Sequence, residues 1–356
     1  MEKNYRIFVI NAGSTSTRVA YYEGGKAVFD TKLVHPSDVI AGFKQINDQF
    51  DMRRDAIFSY LDEIGVKALD AVASRGGGGR TLRGGGYAIT PKMVYECEHA
   101  PWPHASNLGV MAAYEIMKKF GVPGYIYDAP SSDDFCEYAK VTGAPEFPQL
   151  RGAGHPLNER HAARTVAENV LGGKYEDFNF VVSHLGGGIT VCAHEKGKII
   201  DCIINSMSPQ RSGALPMIAF TKACFSGKWT YDELYNRQMG NGGLMAYLGT
   251  SDIPEIERRI EAGDKKAEFY FNCMIYWIAK DIGAMASTMS GHVDRVVLTG
   301  EIAYSKRLTE TLAERVKYIA PVEIVPGAHE MEGLALGTQR ILAGEEEARD
   351  YDTEEA

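Results

Sequence analysis

The sequence RIFVINAGSTSTRVAYYEGGK, which starts at Arg6, has a counterpart in NFVVSHLGGGITVCAHEKGK, which starts at Asn179. With a shift of 173 positions (Gly186 minus Gly13), six positions of the two stretches correspond: Phe8 and Val181, Val9 and Val182, Gly13 and Gly186, Thr17 and Thr190, Ala20 and Ala193, and Gly24 and Gly197. In each copy an apolar strand enters a turn rich in Gly, Ser and Thr, and a second strand leads out of it. Two copies in matching context predict a duplicated fold.

The turns of both copies are candidate anion-binding sites, because backbone N–H groups and hydroxyls at such a turn form a concavity that attracts anions. The alternative for the first turn is a plain hairpin whose hydroxyls satisfy their own backbone. Three glycines in a row, as in the second copy, cost about 0.5–1 kcal/mol each, which indicates that bare backbone is needed there. The candidate nucleotide-binding residues are Gly13, Ser14, Thr15, Ser16 and Arg18 in the first copy, Gly186, Gly187 and Gly188 in the second, and Gly300 and Glu301 after the strand RVVLTG.

Hairpins followed by alternating helices and strands predict an α/β protein with mixed sheets flanked by helices. A nucleotide is expected in a cleft between the two halves. We place the N-terminal domain at residues 1–155 and the C-terminal domain at 156–342. Residues 343–356 carry seven acids and one arginine, and we expect them to form a frayed, solvated tail.

Composition excludes several classes of function. The net charge of −9 over 356 residues argues against a nucleic-acid partner. The six cysteines show no CxxC pair and no metal-site spacing, which indicates reduced thiols in a cytoplasmic protein. The N-terminus enters a strand directly, so no signal peptide is expected. The most apolar helix candidate, FYFNCMIYWIA from Phe269, is too short to span a bilayer.

Several strings of the sequence, taken in order, resemble those of one family. They are INAGSTSTR at 10–18, SRGG at 74–77, HASNLG at 104–109, GHPLNERHAAR at 154–164, HLGGGITV at 184–191, SPQRSGALP at 208–216 and LTGEIAYSKR at 298–307. The combination is similar to the acetate kinase/sugar kinase/Hsp70/actin superfamily, and within it to the butyrate kinases. The resemblance covers residue 6 to about residue 342. It implies duplicated ribonuclease H-like (actin-like ATPase) domains, and ATP or ADP with Mg²⁺ as cofactors.

Acyl-phosphate chemistry accounts for the residue types at these strings. A short carboxylic acid has a pKa near that of Glu, about 4.3, so it is already an anion at neutral pH. No general base is needed, and catalysis depends on positioning and on cations around the transferring phosphoryl group.

The resemblance also implies roles for individual residues. Arg75 is expected to hold the carboxylate or the transferring phosphoryl group, and Arg211 to stabilise the charge of the transition state. His155 is expected to hydrogen-bond the phosphoryl group, although a helix-capping role remains the alternative. Asn11 and Asp128 are expected to orient Mg²⁺ or its waters.

Two further histidines belong to these strings. His104 matches a position near the carboxylate pocket, and His184 is assigned to the nucleotide site by its motif. The chain departs from the family where Glu301 replaces a glycine of the adenosine motif. The loop before Ser208 is also shorter than is usual in the family. The sequence therefore does not define which carboxylic acids are accepted as substrates.

The expected reaction is reversible transfer of a phosphoryl group from ATP to a short-chain fatty acid, butyrate or a branched homologue. One alternative is acetate, propionate or an aromatic acid as acceptor, and another is a nucleotide-binding homologue without activity. We expect a homo-oligomer, with the apolar helix from Phe269 to Trp277 either at the interface or in the core.

Overall fold

The computed structural model describes residues 4–77, 80–100, 104–152 and 154–354. The chain forms two compact units, of which the first comprises Met1–Asp133 and His329–Ala356 and the second comprises Asp134–Ala328. Each unit contains one mixed sheet with helices packed against it.

Eleven strands lie in the described part of the chain. They are β1 (Arg6–Ala12), β2 (Ser16–Glu23), β3 (Lys26–Val34), β4 (Ala71–Ser74), β5 (Gly86–Ala88), β6 (Gly124–Tyr127), β7 (Asn179–Leu185), β8 (Ile189–Glu195), β9 (Lys198–Ser206), β10 (Arg295–Gly300) and β11 (Val322–Pro326). The first sheet has the order β3-β2-β1-β4-β6-β5, and the second has the order β11-β10-β7-β8-β9.

The two sheets share one topology. In the first, β1 pairs antiparallel with β2 and parallel with β4, and in the second β7 pairs antiparallel with β8 and parallel with β10. The third strands, β3 and β9, also correspond, as do β6 and β11, so only β5 lacks a counterpart among the described residues. The duplicated α/β fold predicted from the sequence is confirmed.

The alignment of the two copies needs one correction. Phe8 lies opposite Tyr21, whereas Val181, its equivalent at a shift of 173, lies opposite Ala193. The outgoing strands therefore correspond at a shift of 172 (193 minus 21). The reason is the turn, because the second turn is one residue shorter than the first.

Thirteen α-helices complete the described chain. They are α1 (Ser37–Ala41), α2 (Phe50–Glu63), α3 (Pro91–Glu98), α4 (Ala105–Phe120), α5 (Glu137–Lys140), α6 (Pro156–Val166), α7 (Met217–Cys224), α8 (Tyr231–Met239), α9 (Gly243–Leu248), α10 (Ile253–Glu261), α11 (Lys265–Thr288), α12 (Lys306–Val316) and α13 (Glu330–Ala343). Helix α6 continues as a π-turn over Ala167–Leu171, and short 3-10 turns lie at Ile46–Gln49, Tyr175–Asp177 and Glu301–Tyr304.

Helix α11 is the apolar helix that the sequence indicated. The Asp264 side chain caps it by accepting the Ala267 N–H at 3.0 Å. Phe271 and Met274, which we placed at a possible oligomer interface, are buried against the second sheet. Phe269 and Tyr276 lie on the other face, 61% and 51% exposed. In the described part of the chain, no helix has both the length and the apolar character required to cross a membrane.

The unit boundaries differ from the expected boundary near residue 155. The last helix, α13, packs on β1 and returns the chain to the first unit. The acidic end is packed, not frayed: the Arg349 N–H donates to Gly86 O at 2.8 Å, and Tyr351 is 2% exposed. The Arg80 guanidinium lies 4.0 Å from the centroid of the Tyr351 ring. A buried aromatic ring anchors this segment despite its charge.

The packing of Tyr351 predicts a loss of stability on truncation. Tyr351→Ala should lower the free energy of unfolding by about 3 kcal/mol, because it removes a buried ring and leaves a cavity. The matched control is Tyr318→Ala, whose ring is 78% exposed and whose loss should stay within about 0.5 kcal/mol. Urea unfolding followed by circular dichroism measures both, and equal losses would show that the tail does not stabilise the unit.

Candidate functional site

The first turn presents its hydroxyls outward. The Gly13 N–H donates to Ser16 O at 2.8 Å, which closes the turn between β1 and β2. Ser14 and Thr15 are exposed, and the Thr15 carbonyl accepts the His35 N–H at 3.0 Å. Both residues are among those predicted to bind phosphate, and their side chains are open to solvent.

A buried arginine that the sequence analysis missed supports this turn. Arg53 of α2 is 1% exposed, and its guanidinium donates to the carbonyls of Gly13 and Ser14, each at 2.8 Å. It also donates to the Gln49 side chain. Since these acceptors are neutral, burial lowers the pKa of Arg53. The turn carbonyls are held from beneath, which leaves the opposite side of the turn available to an anion.

Three predicted residues meet at one edge of the first sheet. β1, β4 and β6 are parallel neighbours, so their carboxyl ends lie side by side. Asn11 lies at the end of β1, Arg75 follows β4, and Asp128 follows β6. Asp128 has a φ of 43° and a buried carboxylate that accepts the Gly85 N–H at 2.8 Å. This edge is where α/β sheets place their ligands.

Glu330 joins this group from the far end of the chain. Its carboxylate accepts from the Asn11 amide at 2.7 Å and lies 3.4 Å from the Arg75 guanidinium. Glu330 was not among the predicted residues, because it lies 319 positions after Asn11 in the chain. With the Asn11 amide nitrogen donating, the Asn11 carbonyl oxygen is turned away from Glu330. The edge thus gathers the oxygen ligands that Mg²⁺ prefers.

His104 caps helix α4 beside this edge. Its Nδ1 accepts the Ser106 N–H at 3.2 Å, so the neutral ring carries its proton on Nε2. Burial, and secondarily the charge of Arg75, lowers the pKa of His104. A neutral Nε2–H donor near an arginine fits the expected position close to a carboxylate.

The Arg18 side chain is paired with a carboxylate of the same sheet. Its guanidinium forms two hydrogen bonds with the Asp30 carboxylate on β3, at 2.8 and 2.9 Å. A charged pair with two hydrogen bonds is strong. A phosphate would therefore have to compete with the Asp30 carboxylate for the guanidinium of Arg18.

The second turn is supported by a serine hydroxyl. Ser208 Oγ donates to Gly187 O at 2.6 Å and accepts the Arg211 N–H at 2.9 Å. The Arg211 guanidinium donates to Ile204 O at 3.0 Å and crosses directly over Gly188. A Cβ on Gly188 would lie 2.4 Å from Arg211 Cζ, so only glycine admits the arginine at this place.

His155 and His184 stack beside this turn. Their ring centroids are 3.8 Å apart, with an interplanar angle of 11°. The Asn158 side chain contacts His184 Nδ1 at 2.9 Å and donates to Thr299 Oγ1 at 3.1 Å. The structure thus brings together His155, predicted to contact the phosphoryl group, and His184, predicted for the nucleotide site.

A hydrogen-bonded chain leads from His155 into the core. His155 Nδ1 lies 3.2 Å from Thr190 Oγ1, and Thr190 donates to the buried carboxylate of Glu159. Burial raises the pKa of Glu159 to about 7, against the opposing effect of its hydrogen-bond donors. Because Thr190 donates to Glu159, it accepts from His155 Nδ1, which fixes the proton on that nitrogen. Glu159 and Thr190 are positioning residues that the sequence analysis missed.

The adenosine motif also depends on a close backbone approach. Gly300 ends β10 with a φ of 93°, and a Cβ there would lie 2.4 Å from Leu185 O. Its N–H donates to Gly327 O at 3.1 Å. Glu301 turns toward the same loop, where its carboxylate accepts the Ala328 N–H at 3.3 Å. A local backbone partner therefore occupies the Glu301 carboxylate.

A cavity of about 410 Å³ lies within the second unit. It is lined by Gly187, Pro209, Ser251, Asp252, Ile253, Pro254, Glu257, Glu301, Ile302, Tyr304 and Ser305. Its volume is within the range of small-molecule pockets, roughly 300–1,000 Å³. The second glycine turn and the adenosine motif thus line one apolar pocket with a few polar groups.

The duplicated topology and its two glycine turns define a two-unit α/β protein of the actin-like ATPase class. A family profile described as the acetokinase family matches residues 152–321. The chain is 40% identical to a "Probable butyrate kinase" of Listeria monocytogenes over 98% of its own length and 100% of the relative. It is also 40% identical to "Butyrate kinase 2" of Clostridium acetobutylicum, over 98% and 99%. The chain belongs to the butyrate kinases of the acetokinase family.

Solved structures agree on the fold. An acetate kinase of Porphyromonas gingivalis aligns with a TM-score of 0.78 at 21% identity, over 95% of this chain and 100% of the other. An acetate kinase of Entamoeba histolytica aligns with a TM-score of 0.74 at 16% identity, over 94% and 99%. At these identities the match establishes the fold alone.

The contact between Gly188 and Arg211 predicts the effect of a single methyl group. Gly188→Ala should leave the fold intact, because the atom it meets is the end of a flexible side chain, but should displace the guanidinium. We expect ATP-dependent turnover to fall about 10- to 100-fold, part of the 10²–10³ typical for loss of a transition-state donor. The matched control is Gly143→Ala, where a Cβ meets nothing within 4 Å. If both variants have the same kcat, Arg211 takes no part in catalysis.

Proposed function

We propose that this protein transfers the γ-phosphoryl group of ATP to a short-chain fatty acid of four or five carbons, and that the reaction is reversible. The observation that carries the proposal is the cavity lined by both Gly187 and Glu301, in a chain of the butyrate kinase group. The glycine turn supplies bare N–H groups for the polyphosphate, and the apolar part of the cavity suits an adenine ring.

The proposed reaction is a direct displacement. A carboxylate oxygen attacks the γ-phosphorus, a new P–O bond forms, and the bond to the ADP oxygen breaks with its electron pair leaving on ADP. The acid is ionised at neutral pH, so no residue has to remove a proton. The task of the protein is to neutralise charge and align the two anions.

The residues described above divide this task between them. Arg211, held at the second turn, is proposed to stabilise the equatorial oxygens of the transferring phosphoryl group, and His155 to contact the same group. Arg75 and His104 are proposed to hold the carboxylate, since a cation and an N–H donor meet at that sheet edge. The exposed hydroxyls of Ser14 and Thr15 are proposed to contact the phosphates.

Magnesium is proposed to act with the nucleotide. Asn11, Asp128 and Glu330 would hold it or its waters, since they gather amide and carboxylate oxygens at the carboxyl edge of the first sheet. The ion supplies charge neutralisation for the β- and γ-phosphates.

We further propose that the protein works in the cytoplasm as a homo-oligomer. Its cysteines are all without disulfide bonds, as expected for a reducing compartment. The exposed aromatic rings of Phe269 and Tyr276 on α11 supply apolar area for a contact between copies.

An acyl-phosphate trapping assay tests the function. Purified protein with MgATP and hydroxylamine is offered acetate, propionate, butyrate, isobutyrate, isovalerate and phenylacetate, and the hydroxamate is quantified. We expect the highest kcat/KM with the four- and five-carbon acids, and a loss of about 10²–10³ in kcat for Arg211→Ala with butyrate.

Other results of this assay would contradict the proposed substrate class, the catalytic activity or the role of Arg211. A clear preference for acetate or phenylacetate would keep the phosphoryl transfer and overturn the substrate class. Binding of ATP without product from any acid would indicate a non-catalytic homologue. Hydroxamate formation at wild-type rate by Arg211→Ala would remove Arg211 from the site.

A further inference from the structure

A group of metal-ligating side chains lies in the interior of the second unit, at the inner end of the hydrogen-bonded chain that leads from His155 to Glu159. Cys192 and His194 stand two positions apart on β8 and therefore face the same side of the sheet. Glu159 reaches them from helix α6. One potential ligand atom from each residue lies within 4.8 Å of the others, and all three residues are buried.

The distance between two of the ligand atoms already suits a tetrahedral ion. Cys192 Sγ lies 3.3 Å from Glu159 Oε2. A tetrahedral zinc with Zn–S of about 2.3 Å and Zn–O of about 2.0 Å separates its sulfur and oxygen ligands by about 3.5 Å. Glu159 can bind through Oε2 while its Oε1 keeps the hydrogen bond from Thr190.

The second observation is an unsatisfied histidine nitrogen. His194 is 0% exposed, its Nδ1 lies 2.8 Å from the Tyr175 hydroxyl, and its Nε2 has no hydrogen-bond partner among the residues that the structure describes. Buried polar atoms are nearly always satisfied, so an unpaired ring nitrogen needs an explanation. Metal-binding histidines characteristically engage their other ring nitrogen in a hydrogen bond that fixes the ring, which is the role Tyr175 fills here.

A second thiol and the charge of the group support the same conclusion. Cys202 is the cross-strand neighbour of Cys192, and the two thiols are hydrogen-bonded to each other. Arg160, whose charge acts on both Glu159 and His194, is paired with Asp134. A divalent cation with one carboxylate, one thiolate and one neutral imidazole forms a group without net charge, which is the form that a buried site tolerates.

We propose that Glu159, Cys192 and His194 form a binding site for a zinc-type divalent cation in the core of the second unit. The thiol proton of Cys192, and that of Glu159 where it is protonated, pass to solvent on binding. Through Oε1 of Glu159 and Thr190, the bound ion fixes the hydrogen-bonded chain that ends at His155.

Cobalt(II) titration of the full-length protein tests the proposal without any assay of activity. The protein is stripped with a chelator, kept reduced and free of nucleotide, and titrated while thiolate-to-cobalt absorption is recorded. We expect one cobalt per chain with a thiolate band, and displacement by zinc. Mg²⁺ cannot produce this signal, so the nucleotide-associated ion does not interfere.

Three variants locate the signal. Cys192→Ser should abolish the thiolate band, whereas Cys224→Ser, which removes the exposed thiol, should leave it unchanged. Tyr175→Phe preserves the packing of the ring and should weaken binding about 10- to 100-fold, the usual cost of losing an outer-shell partner. Circular dichroism establishes that each variant is folded.

Several results would overturn the proposal. They are the absence of a thiolate band in the wild-type protein, a band that survives in folded Cys192→Ser, and a band that disappears in Cys224→Ser. If Cys192→Ser does not fold, the wild-type stoichiometry and the Tyr175→Phe affinity still decide.

Discussion

The buried contacts beneath the two turns are the constraint on which the site depends. Arg53 holds the carbonyls of the first turn, and Ser208 holds the Gly187 carbonyl of the second. A turn whose carbonyls are directed into the protein can present N–H groups and hydroxyls to an anion. The cost of burying the Arg53 guanidinium, which lowers its pKa, is offset by its several hydrogen bonds to neutral acceptors.

The duplication gives each unit the same sheet but different chemistry at its edge. In the first unit, Asn11, Asp128 and Glu330 gather oxygen ligands, and the final helix α13 returns from the end of the chain to supply Glu330. In the second unit, the side chains near the glycine turn are hydrogen-bond donors, namely Arg211 and the stacked pair of His155 and His184. Under the proposed function, the first group of residues holds the metal and the carboxylate, and the second contacts the phosphoryl group.

The strands, both glycine turns and helix α11 were predictable, because period-2 apolar patterns and consecutive glycines are local signals. Residues supplied from distant parts of the chain were not. The sequence around Arg53 is typical of a polar surface helix, and Glu330 lies 319 positions after Asn11 in the chain, so only the fold brings the two together. The C-terminal tail was expected to fray because its residues are mostly acidic. The burial of a single side chain, Tyr351, nevertheless fixes its position.

Hydrogen–deuterium exchange of the full chain, with and without Mg²⁺ and a non-hydrolysable ATP analogue, tests whether both turns bind the phosphates. We predict slower exchange of the backbone amides at both turns, residues 13–17 and 186–189, because both sets of N–H groups are proposed to bind phosphate oxygens. Exchange in the loop around Gly143, outside both turns, should be unchanged. Protection of only one turn, or of neither under saturating nucleotide, would show that the nucleotide is not held by the two turns together.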